Sequence, residues 1–138
     1  MLKTFSIGGV HPDENKLSAN NPIENLTVPA TVNILVSQHL GVPAKPVIAK
    51  NDKVKVGQLI AESAGFISAN VHATVSGIVT AIDPVMDSSG YRKLSISIKT
   101  EGDEWADGID RSGTLIKTCD FSPAEILNRI NQAGIVGL

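Results

Sequence analysis

Few side chains in this chain could do chemistry unaided: one cysteine, Cys119, three histidines, His11, His39 and His72, and a run of carboxylates at Glu101, Asp103, Glu104, Asp107 and Asp110. A single thiol cannot close an internal disulfide, and it cannot alone hold an iron–sulfur cluster, which normally takes four thiolates. No histidine or basic cluster flanks Cys119 apart from Lys117, so it reads as a small, partly buried side chain rather than a reactive thiol. The histidines stand far apart, matching no metal-site spacing within one turn or hairpin. His11 precedes Pro12, whose ring holds it extended, and reads as a local hydrogen-bonding residue; His39 and His72 read as packing residues. Convergence of the three in space is the alternative. The carboxylate run lacks the alternating oxygen ligands and terminal glutamate of a calcium loop and reads as a solvated acidic segment. Gly8-Gly9 is too short for a phosphate loop and has no strong strand before it or helix after it, so it reads as a turn. No residue is assigned a catalytic, cofactor-binding or metal-ligating role on these grounds.

Composition narrows the function further. The chain is 42% apolar and 19% charged with a net charge of -2, and no basic cluster accompanies its few aromatic residues, so nucleic acid and anionic membranes are not expected partners. No basic segment followed by an apolar run opens the chain, and no apolar stretch reaches the roughly 18 residues of a membrane span. The expected location is therefore the cytoplasm.

The elements that must position these residues centre on Ala44 to Asp83. Its β-prone runs, Pro46 to Ala49, Gln58 to Glu62, Phe66 to Val71 and Gly77 to Ile82, are separated by Asn51-Asp52, Gly57, Gly65 and Ser76-Gly77, where the backbone can turn. Thr31 to Val36 is a further strand. Lys93 to Thr100 alternates strictly, with Leu94, Ile96 and Ile98 on a core face and Ser95, Ser97 and Lys99 on a solvent face. A helix is expected at about 123 to 133: Ser122 caps it, Pro123 fits its first position, Glu125 completes a reciprocal capping box and Gly134 supplies a left-handed stop. The divisions predicted are an extended N-terminal arm at 1–30, a mostly β domain at 31–100, an acidic linker at 101–121 and a helical segment at 122–138.

The central stretch resembles the biotinyl/lipoyl family of small barrel-sandwich hybrid domains, through Asp52, Val54, Gly57 and Gln58, with Ile60 in place of a leucine, and then Ala73, Ser76, Gly77 and Val79. Asn51 and Asn70 stand where that pattern usually has glycine and proline. The resemblance implies a lysine at the hairpin tip, the attachment point for biotin or lipoate. None lies between Lys55 and Lys93, and the tip falls near Ser63-Ala64-Gly65-Phe66, so a carrier role is excluded by the missing amine.

A second resemblance is more specific. GGVHPDENK (Gly8 to Lys16), PIENL (Pro22 to Leu26), SQHLGVPAKPV (Ser37 to Val47) and GFISANVHATVSG (Gly65 to Gly77) are together similar to the N-terminal region of the C-type subunit (RnfC) of the Rnf ion-translocating electron-transport complex. That resemblance implies a non-catalytic docking region of a complex moving electrons between NADH and ferredoxin, peripheral on the cytoplasmic face of the inner membrane, with other subunits as partners. Flavin (FMN), NADH and two four-iron four-sulfur (4Fe-4S) centres are implied only for the flavin and iron–sulfur domains beyond Leu138, into which the last helix would lead. A related alternative is the A-type subunit of the sodium-pumping NADH:quinone reductase, which shares the sandwich.

Overall fold

The alternation of Leu94, Ile96 and Ile98 builds the central strand of the larger of two sheets. The computed structural model of the chain describes residues 13–115 and 118–136. In chain order the elements are β1 (Thr31–Leu35), β2 (Lys45–Pro46), β3 (Lys53–Val54), β4 (Leu59–Glu62), β5 (Val71–His72), β6 (Gly77–Met86), β7 (Arg92–Thr100) and α1 (Pro123–Ala133). One antiparallel sheet runs β1-β7-β6-β3 and a second runs β2-β4-β5. With 30% strand and 9% helix, this is the mostly β barrel-sandwich hybrid expected, with a single C-terminal helix among the described residues.

Cross-strand register explains the core. Val32 lies opposite Ile98, which lies opposite Val79; Ile34 lies opposite Ile96, which lies opposite Ile82. Two apolar rows therefore cross the large sheet. Val79 and Ile82 are three residues apart, which strict alternation would put on opposite faces. A bulge between Val79 and Ala81 inserts Thr80 as an extra residue, returns Ile82 to the core face and sends the Thr80 hydroxyl to the carbonyl of Ser97 at 3.2 Å. From the small sheet Ile60 and Ala61 close over these rows, both fully buried. Ile60, Ile96, Ile98 and Val79 are out of contact with water, and each stabilises the fold by about 1.5–3 kcal/mol relative to an exposed position.

Several expectations are corrected. Phe66 to Val71 is not a strand: only Val71–His72 pairs, because the preceding residues bend so that Ser68 can bond locally. β6 does not stop at Ile82 but continues through Pro84 to Met86, beyond the end of β3; along that free edge a residue without an N–H leaves no ladder bond unmade. Ser95, expected in solvent, is fully buried and its hydroxyl finds no partner. Cys119 is exposed rather than partly buried. The capping box is present as expected, but α1 buries none of its residues, leaving Leu127 well exposed and Ile126 and Ile130 partly so. His11 and the GGVHP part of its motif lie outside the described residues.

Candidate functional site

In a barrel-sandwich of this kind a carrier would hold its cofactor at the tip between β4 and β5. The tip, Ser63 to Asn70, is stapled from within: the Ser63 N–H donates to Asn70 Oδ1 at 2.9 Å and the Ala64 N–H to Ser68 Oγ at 3.0 Å. It is also tied to the Ser37–Pro43 segment, where Ser68 Oγ donates to the Val42 carbonyl at 2.8 Å and the Val42 N–H to the Ile67 carbonyl at 2.8 Å. The rigid tip so formed displays Phe66 and Ile67, with Leu40 beside them, all exposed. It carries no amine. A groove beside the tip is bordered by Leu40, Phe66, Ile67 and Lys93, but the Lys93 ammonium is paired with Asp87 at 2.9 Å. The Asp87 carboxylate is only 6% exposed, and that hydrogen bond from Lys93, joined by the backbone N–H of Tyr91, holds it below the usual carboxylate range.

His11 lies outside the described residues, and the other two histidines border one cavity. His39 and His72 line one cavity of about 240 Å³ with Asn70, Thr74 and Gly134. His39 Nδ1 accepts the Gly41 N–H at 2.9 Å, which leaves Nε2 as the nitrogen able to donate. Among the described residues no group of three or more His, Cys, Asp or Glu side chains could hold a metal ion. Asn70, noted in the sequence only as a replacement for proline, has a positional role: besides bonding Ser63 it donates from Nδ2 to the Gln132 carbonyl at 3.4 Å, joining the tip to the end of α1. Asn51 likewise occupies the left-handed region expected of a glycine, at φ 75°.

The carboxylates of the acidic segment are exposed as expected, yet its backbone is laced onto the barrel. The Val56 N–H donates to the Glu104 carbonyl at 2.8 Å and the Ala106 N–H to the Val56 carbonyl at 2.9 Å. Ser76 Oγ donates to the Glu101 carbonyl at 2.9 Å and accepts the Glu104 N–H at 3.1 Å. This anchor was not apparent from the sequence, where Ser76 looked like an ordinary turn residue. The carboxylates are dispersed among separate partners. Lys99 holds Glu101 below its ordinary range by a 2.9 Å hydrogen bond and is itself shifted upward by it. Asp103 accepts from Trp105 Nε1 at 2.8 Å, with the Arg111 guanidinium stacked 4.5 Å from the indole centre. The Ser112 N–H donates to Asp110 and lowers its pKa. Such a set does not converge on a ligand, and one exposed cysteine does not fit the four thiolates of a four-iron cluster.

The geometry thus presents a rigid, apolar, amine-free tip and no converging reactive groups, and comparison with known proteins is consistent with it. The family described as "RnfC Barrel sandwich hybrid domain" matches residues 3–103. The chain is 45% identical over its whole length to the C-type subunit of the proton-translocating ferredoxin:NAD(+) oxidoreductase complex of Clostridium ljungdahlii, covering 30% of that protein. It is 37% identical, over 99% of its length, to the C-type subunit of the ion-translocating oxidoreductase complex of Rhodobacter capsulatus, covering 27%. To the C-type subunit of the Na(+)-translocating ferredoxin:NAD(+) oxidoreductase complex of Acetobacterium woodii it is 39% identical over 95% of its length, covering 29%. The chain spans less than a third of these relatives and matches only their N-terminal region. With a fold of the expected class and a family match over most of its length, the chain belongs to the RnfC barrel-sandwich hybrid family.

Proposed function

We propose that this chain is the N-terminal docking domain of the RnfC subunit in an ion-translocating ferredoxin:NAD+ oxidoreductase, contributing protein surface and no reacting group. The observation that carries this reading is the carrier-like tip without a lysine: the scaffold is kept, and an exposed Phe66-Ile67 pair stands where an attachment site would be. In the whole RnfC protein, FMN, NADH and the four-iron centres would be held by the part that follows, and the partners would be that part and the other subunits. No helix among the described residues is long and apolar enough to cross a membrane. The neighbours of this region would hold it at the cytoplasmic face of the inner membrane. Relatives named for protons and for Na+ match it comparably, which supports placing ion selectivity elsewhere. We further propose the divisions 1–30, 31–100, 101–121 and 122–138 as arm, barrel, strap and connecting helix.

The test is replacement of the matched N-terminal region of the Clostridium ljungdahlii protein by these 138 residues. The expected result is that the chimera assembles into the complex and sustains ferredoxin-dependent NAD+ reduction, whereas deletion of the region abolishes assembly. A deletion that assembles and turns over normally would overturn the docking role. Intact mass of the 138-residue chain is expected to show no biotin or lipoate adduct.

A further inference from the structure

Resting on the reading of this chain as part of RnfC, we propose that the groove beside the hairpin tip is the seat of the polypeptide that follows the matched region in that protein. The groove has a volume of about 730 Å³ and is bordered by Leu35, Leu40, Phe66, Ile67, Lys93 and Val136. Three of these, Leu40, Phe66 and Ile67, are large apolar side chains facing water, and a contiguous patch of this kind marks an interaction surface. Their backbone is already fixed by the bonds of Ser68 to Val42 and Ala64, so an occupant would not have to order the loop. The one charged pair at the rim, Asp87 with Lys93, is mutually neutralised. Its chemistry therefore suits an apolar protein surface rather than an anionic ligand.

What identifies the occupant is where the chain is aimed. α1 ends at Gly134 with φ 68°, and a Cβ there would collide with the carbonyl oxygen of Asn70. Only glycine permits this approach, in which Asn70 also bonds the Gln132 carbonyl. The Ile135 N–H then turns back to the Ile130 carbonyl at 3.2 Å, and Val136 lies in the wall of the groove. The relatives match this chain as their N-terminal region, and it covers 30% or less of those three proteins. In an RnfC protein of the relatives' length, the polypeptide beyond the matched region would leave from near Val136 in the groove wall, tethered at an effective concentration on the order of millimolar, whereas a different protein or a second copy must arrive from solution.

Hydroxyl-radical footprinting of the chimera, purified without the other subunits, tests this against the 138-residue chain and the assembled complex. Phe66 and Leu40 are expected to be modified readily in the 138-residue chain and to lose most of that reactivity in the isolated chimera. Protection only in the assembled complex would assign the groove to a different protein of the complex and overturn the proposal. Protection in the 138-residue chain that grows with concentration would assign it to a second copy, and exposure in all three samples would mean that nothing docks there; either overturns it. Phe66→Ser combined with Ile67→Ser should restore Leu40 reactivity in the chimera without moving the melting temperature of the 138-residue chain, since both side chains are exposed. A chimera that shows the protection but cannot join the complex would fail the docking function while leaving this inference standing.

Discussion

Gly77 opens β6 with φ 154°, and a Cβ built there would run into the carbonyl oxygen of Lys99 on the neighbouring strand. The position excludes a side chain for two reasons, a backbone angle that L-residues rarely adopt and a contact with rigid main chain. Gly77→Val is expected to destabilise the domain by about 2–4 kcal/mol, in the range of overpacking joined to backbone strain. Urea unfolding checks it, and an unchanged midpoint would mean that the β6–β7 register is wrong. Ser95 makes the opposite case. Its hydroxyl is fully buried and unpartnered, so its desolvation is uncompensated. Ser95→Ala should leave stability unchanged or raise it by up to about 1 kcal/mol. A clear loss would reveal a partner for the hydroxyl.

At the scale of elements, α1 stands apart because its stability is local. It buries no residue, so its ends matter more than its faces. Glu125 accepts from the Ser122 N–H at 2.8 Å and from Ser122 Oγ at 2.7 Å, and these bonds, the hydroxyl first, hold its carboxyl below the ordinary value of 4.5. A carboxylate whose folded-state pKa is depressed contributes stability that is fully present above its unfolded pKa. That contribution is lost as pH falls through the folded value. The helical circular-dichroism signal should therefore decline below about pH 4.5, before the barrel unfolds. Glu125→Gln, which keeps an acceptor but cannot titrate, should flatten that decline. Ser122→Ala should weaken the helix by about 1 kcal/mol above that pH and by less below it, because the hydroxyl's bond to the ionised Glu125 is already lost there in the wild type. If instead barrel and helix signals fall together in the wild type, the helix is coupled to the core more tightly than its exposure implies.

For the molecule as a whole, the expected behaviour is that of a rigid β scaffold with no bound redox group. Fluorescence titration of the 138-residue chain with FMN and with NADH should give no saturable change at micromolar concentration. The reasons are physical: one thiol cannot ligate a four-iron cluster, and the exposed carboxylates from Glu101 to Asp110 oppose a pyrophosphate. Saturable binding of either ligand would place part of the nucleotide site on this domain and overturn its reading as scaffold alone.

The sequence by itself determined the features whose causes are local. Alternation over Leu94, Ile96 and Ile98 specifies a strand because side chains on extended backbone change face at each residue. Ser122, Pro123, Glu125 and Gly134 specify a helix start and stop because capping is settled within one turn. The absence of lysine from the tip is decisive because an amide bond needs an amine. What the tertiary structure decided depends on groups distant in the chain. The Thr80 bulge, which sets Val79 and Ile82 on one face, answers the facing rows of β7, and Ser95 is buried by its place in the assembled sheet rather than by its neighbours in sequence. Phe66 to Asn70 has strand-like composition but is pulled into a bend by Ser68, whose hydroxyl reaches Val42, far back in the chain. His39 and His72 share a cavity, and Ser76 anchors Glu101 and Glu104, only once the sheets have closed. Long-range hydrogen bonds and burial are properties of the packed whole, so no window of the chain contains them.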